Sequence, residues 1–166
     1  MMTAAFRRRG LVVAVVMLAA GLGSLSRAAS ALQLTADGWH SWRVASVTRA
    51  GEETIYVLIN TGRPAEIEVA GRWCNQRRHA AVLDHGLLDV DTSINWLQQY
   101  LGEPSDIGEQ TLAAISRHAG GRALQILIDI VESDAPADTR QEAIFWMAMS
   151  ESDAAFEYID ALLMAD

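Results

Sequence analysis

The chain has 166 residues, 51% of them apolar, with thirteen cationic residues, all arginine, against 21 acidic ones for a net charge of −8. That is one domain's worth of chain, with enough apolar content to form a core once any leader is removed. The charge is uneven: residues 1–31 hold four Arg and no acid, 32–87 hold six of each, and 88–166 hold three Arg against fifteen acids. A C-terminal part that acidic repels a phosphate backbone, which argues against a nucleic-acid partner; its long-range attraction would favour a basic protein or peptide, although an acidic face is more often simply a solvated one.

Residues 1–31 read as a secretory leader. Arg7-Arg8-Arg9 precedes an apolar and small-residue run from Gly10 to Leu25, followed by Ser26-Arg27-Ala28-Ala29-Ser30-Ala31. The order of basic, apolar and small-residue regions predicts cleavage near Ala28 or Ala31 and a periplasmic or secreted mature chain. The apolar run is shorter than the roughly 20 residues a membrane-spanning helix prefers. Arg8-Arg9-Gly10-Leu11-Val12 also has the pattern of a twin-arginine export signal. Cys74 is the single thiol, which excludes an intramolecular disulfide.

Residues 32–87 change to a two-residue period. Trp42–Val47, Thr54–Asn60 and Glu66–Val69 read as three short strands, separated by turn signals at Ala50-Gly51-Glu52 and Thr61-Gly62-Arg63-Pro64. They predict a small antiparallel meander. So little sheet has no core of its own, so one face is expected to lie against the first helices, with Trp39, Trp42 and Trp73 filling the junction.

Residues 88–166 are helical. Asp91, Thr92 or Ser93 can cap a helix from Ile94 to Leu101, closed by Gly102-Glu103-Pro104. Beyond it the sequence says the same thing twice at a shift of 32 residues. Gln110-Thr111-Leu112 falls on Glu142-Ala143-Ile144, Ile115 on Met147, Ala123-Leu124 on Ala155-Phe156, Leu127 on Ile159, and Ile130-Val131 on Leu162-Leu163. Each copy is a pair of amphipathic helices, broken at Ala119-Gly120-Gly121 and at Ser150-Glu151-Ser152-Asp153. A repeat of that period marks stacked helix pairs, none of which buries its apolar face alone. The expected fold class is therefore α+β, a meander packed on a helical array of two repeats plus a capping helix. Phe145 and Trp146 are expected at the contact between the repeats.

The second copy, from Thr139 through Glu142-Ala143-Ile144-Phe145-Trp146 and Ser150-Glu151-Ser152-Asp153 to Leu163, resembles a bacterial HEAT repeat. Arg140 opens its first helix as in that family. The first copy has Gly108 in place of that Arg, and Ala113-Ala114 in place of the Phe-Trp pair. The resemblance covers about residues 106–164 and implies an interaction role, with a protein or peptide as partner. HEAT-like repeats also occur in lyases that attach bilin pigments, which implies an enzyme-accessory alternative that an exported chain fits poorly. A third reading is an envelope protein whose repeats only self-associate, as a homodimer.

No residue pattern supports an enzyme or asks for a cofactor. There is no Gly-x-Ser-x-Gly elbow, no phosphate-binding glycine loop and no paired zinc motif. Cys74, His79 and His85 have loop spacing without a fourth ligand, so no metal is expected. Asp153, Glu157 and Asp160 share one helix face, and a straight face converges poorly on one ion. On the second helices the polar side chains directed off the core, Gln125, Asp129, Glu157 and Asp160, are the expected partner-binding residues.

Overall fold

The computed structural model describes residues 31–48, 51–70, 81–103 and 105–164. Strands β1 (Gly38–Ala45), β2 (Glu52–Asn60), β3 (Arg63–Ala70) and β4 (Val82–Leu87) precede helices α1 (Val90–Leu97), α2 (Asp106–Ser116), α3 (Gly121–Glu132), α4 (Ala137–Met149) and α5 (Asp153–Met164). The fold is α+β.

The sheet has the order β3-β2-β1-β4. Its first three strands form the expected antiparallel meander, with Gly38 opposite Ile59 and Val57 opposite Ile67. The β2–β3 turn needs positive φ at both central residues, which Thr61 and Gly62 supply at 53° and 74°. The expectation of a purely antiparallel meander is corrected by β4, which runs parallel to β1 on the far edge, so the sheet is mixed. Its sequence, Val82-Leu83-Asp84-His85-Gly86-Leu87, has weak strand propensity and only a short ladder.

Alternation aims Glu53, Ile55, Val57 and Ile59 of β2 to one face, with Trp42 and Val44 of β1 beside them. The apolar ones, Trp42, Val44, Ile55, Val57 and Ile59, form one core with Ile94, Trp96 and Leu97 of α1, Ala114 and Ile115 of α2, and Ala123 and Ile126 of α3. The strand-rich segment and the first helices therefore share one apolar interior, as the shortage of sheet core required. Trp42 fills this junction, edge-on to Trp96 at 5.5 Å, and Trp39 is half-buried. Trp73 and Cys74 lie outside the described residues.

The first helix starts four residues before the expected Ile94. Its cap is Asp89, whose carboxylate accepts from the Thr92 amide at 2.8 Å and the Thr92 hydroxyl at 2.6 Å. Neither Asp91, Thr92 nor Ser93 caps it. The α-helix stops at Leu97, and a 3₁₀ turn over Gln98–Tyr100 completes the expected span.

The repeat is visible in the backbone: α3 and α5 start at 121 and 153 and end at 132 and 164, a shift of 32 at both ends. A second core, Leu112, Leu127, Ala143, Met147 and Ala155, joins the two helix pairs. Helix α2 serves both interiors, Ile115 toward the sheet and Leu112 toward α4. Gly108 is buried where α2 passes the preceding loop, and a Cβ there would meet the Glu103 carbonyl oxygen at 2.5 Å. That contact is the physical reason the first copy has glycine where the second has Arg140.

Candidate interaction surfaces

A buried polar chain ties sheet to helices. The Trp42 indole N–H donates to Ser93 Oγ at 2.7 Å, the Ser93 hydroxyl donates to His118 Nε2 at 2.8 Å, and His118 Nδ1–H donates to the Ala114 carbonyl at 2.9 Å. The Ala114 acceptor fixes the tautomer, since a carbonyl can only accept. All three side chains are wholly buried. Burial pushes His118 below the ordinary histidine range, with its carbonyl bonds opposing the shift, so the ring is neutral. A serine bonded to a histidine has the outline of a nucleophile and base, but nothing in solution reaches this one; it holds β1, α1 and α2 together. Beside it, Val47 N–H donates to the Arg117 carbonyl at 3.1 Å and Ala119 N–H to the Ala45 carbonyl at 2.9 Å, stitching the α2–α3 turn to the end of β1.

His85 is half-buried and faces His40 across the β1–β4 pairing. His40 Nε2 lies 2.8 Å from the Ala36 carbonyl and His40 Nδ1 3.0 Å from His85 Nε2. Ring centres 5.3 Å apart with planes 15° apart put the two rings nearly end to end, the geometry of one shared N–H rather than of two ligands converging on an ion. Burial and the His40 ring push His85 below its ordinary range, against the pull of Asp84. Among the described residues no three His, Cys, Asp or Glu side chains gather to hold a metal; His79 lies outside them.

The four residues expected to bind a partner divide into two pairs. Gln125 and Asp129 are exposed on α3 and bonded to each other at 2.8 Å, so each already satisfies the other. Glu157 and Asp160 are exposed on α5 and border a different feature. Leu112, Leu124, Leu127 and Val131 of the first pair pack into the second core. Of their counterparts 32 residues on, Ile144 and Ile159 also pack against the second core, whereas Phe156 is 48% and Leu163 73% exposed. Where the first copy has the half-buried Ile128, the second has Asp160. The α4–α5 pair thus leaves Phe156 and Leu163 uncovered where Leu124 and Val131 are packed one repeat earlier, with the carboxylates of α5 nearby.

Phe145 does not sit between the repeats: it is 54% exposed, edge-on to Trp146 at 5.1 Å. The contact is made instead by Ala143 and Met147, the small and flexible residues of α4. Trp146 is half-buried against the second core, and its N–H donates to Glu142 Oε1 at 3.2 Å. It also forms one wall of a cavity of about 260 Å³ lined by Ile67, Val69, Glu109, Gln110, Ala113 and Arg117. Burial, aided by the nearby Glu109 carboxylate, pushes Glu142 above the usual carboxylate range, with the Trp146 bond opposing. Sequence reading missed this groove because its walls come from three separate elements.

No protein-family model, curated protein or solved structure matches the chain. Among the described residues no helix is long and apolar enough to cross a membrane.

Proposed function

We propose that this protein is an exported, non-enzymatic interaction module, built on HEAT-like repeats, that holds a basic amphipathic helix of a partner protein against the α4–α5 face. The observation that carries this reading is the uncovered face itself: Phe156 and Leu163 stand exposed at positions whose counterparts, Leu124 and Val131, pack into the second core. Burying exposed apolar area is the main gain available to a partner, at about 25 cal/mol per Å² before the costs of association. Charge then selects the partner. Asp153, Glu157 and Asp160 lie along α5, and no basic residue stands in its last turn. A second copy of this acidic surface is repelled, whereas a helix pairing an apolar stripe with arginines is attracted.

The test is fluorescence anisotropy of a labelled amphipathic peptide with leucines at i, i+3, i+4 and i+7 and arginines between them, titrated with the full-length chain. Binding with a dissociation constant on the order of micromolar, weakening as salt rises, is expected. An acidic peptide with the same apolar pattern should not bind. Equal binding of both, or of neither, contradicts the proposal. A concentration-dependent dimer without peptide binding would favour self-association instead.

A further inference from the structure

We infer that the groove between the outer edge of β3, helix α2 and Trp146 is a second, separate binding site, which takes an extended peptide segment as an added strand. Among the described residues strand β3 is an edge of the sheet, so one of its two rows of backbone groups faces away from β2. Ile67 N–H is in that outward row. It is met not by another strand but by the Gln110 side-chain Oε1, at 2.7 Å. An amide carbonyl on a flexible stem stands where the carbonyl of a neighbouring strand would stand, and it is chemically the same acceptor. A peptide laid along β3 replaces it at no net loss of hydrogen bonds, and Val69, two residues on, presents its N–H to the same side. Gln110 therefore acts as a placeholder that keeps the edge satisfied until a strand arrives.

The groove's charges define the segment. Glu109 and Arg117 stand at opposite ends of α2, eight positions or about 12 Å apart along the helix axis. An extended chain covers that distance with about four residues. Glu142 joins Glu109 at the acidic end. At the basic end stands Arg117, which like Arg140 has no ion pair among the described residues, whereas Arg43, Arg63 and Arg122 are each ion-paired. Between the ends the lining is small or apolar: Ile67, Val69, Ala113 and the Trp146 ring. The complementary ligand is an extended segment of about four residues, with a cation at one end, β-branched or small side chains in the middle, and a carboxylate at the other end to accept from the Arg117 fork.

The probe is the acetylated four-residue peptide Lys-Val-Thr-Val with a free C-terminal carboxylate. It is titrated into the ¹⁵N-labelled full-length chain and followed by amide chemical shifts. The inference predicts shifts concentrated on Ile67, Val69 and the Gln110 side-chain amide, and saturation below about 1 mM. Amidating the peptide's C-terminus or changing Arg117→Gln should weaken binding about tenfold or more, as expected for losing a charge-assisted hydrogen bond. Glu109→Gln, at an exposed position, gives the same direction. N-methylation of the valine amides should abolish binding. No shifts at that concentration, shifts confined to α4–α5, or a titration indifferent to both variants and to N-methylation would overturn the inference. The Arg117 and Glu109 variants leave the helix-binding face intact, because Phe156 and Leu163 do not line the groove.

Discussion

Replacing Ser93 by alanine removes one hydroxyl and leaves two buried groups without partners. The Trp42 N–H loses its acceptor at 2.7 Å, and His118 Nε2 loses its donor at 2.8 Å, both inside a core with no exposure. Each orphaned group costs about 1–3 kcal/mol, so the variant should lose about 2–6 kcal/mol, a large part of the 5–15 kcal/mol typical of a domain. Urea unfolding followed by circular dichroism reads this as a fall in midpoint with an unchanged slope. The reasoning also fixes the coupling between sites. Trp42→Phe removes the indole N–H, so adding it to Ser93→Ala should cost less than the sum of the two single changes. A Ser93→Ala loss below about 0.5 kcal/mol, or strict additivity with Trp42→Phe, would show that the chain of bonds does not hold the sheet to the helices.

The same histidine sets a pH response. His118 and His85 both sit below the ordinary histidine value of 6.5 in the folded chain, so the unfolded chain binds more protons as the medium acidifies. Stability is therefore full above about pH 6.5 and falls as pH drops through that value toward the depressed folded pKa values; His118→Gln should flatten this slope in urea titrations at successive pH values. Gly108→Ala forces a Cβ against the Glu103 carbonyl and should cost about 1–3 kcal/mol by thermal melting, whereas Gly102→Ala, with open space around it, should cost far less. Met147→Ala should cost about 2–5 kcal/mol and Phe145→Ala less than about 1 kcal/mol, since only Met147 fills the second core; the reverse order would restore Phe145 to the repeat contact. Asp89→Ala should cost about 1 kcal/mol by loss of the α1 cap.

The helical half was legible because its information is local. A 32-residue self-similarity sets the helix pairs, and the breaks at Gly120 and Ser152 fall between α2 and α3 and between α4 and α5. What failed depended on distant partners. β4 has Asp84, His85 and Gly86 at its centre and is made a strand by pairing with β1, a preference no local pattern carries. Ser93 looked like a cap candidate, but its partners are 51 residues upstream and 25 downstream, and they claim its hydroxyl for the core. Phe145 and Trp146 read as contact residues from their size, yet α4 has apolar side chains all round, from Ile144 to Met149, so periodicity could not say which face turns inward. The groove was the least visible feature, since Ile67, Arg117 and Trp146 come together only when β3, α2 and α4 do.

Hydrogen exchange of the full-length chain with and without the arginine-bearing amphipathic peptide tests most directly where a partner helix sits. The account predicts slowed exchange in α5 and the C-terminal half of α4, around Phe156 and Leu163, with the sheet and α1 unchanged. Protection spread over α1 and the sheet, or no protection at a peptide concentration that saturates anisotropy, would contradict it.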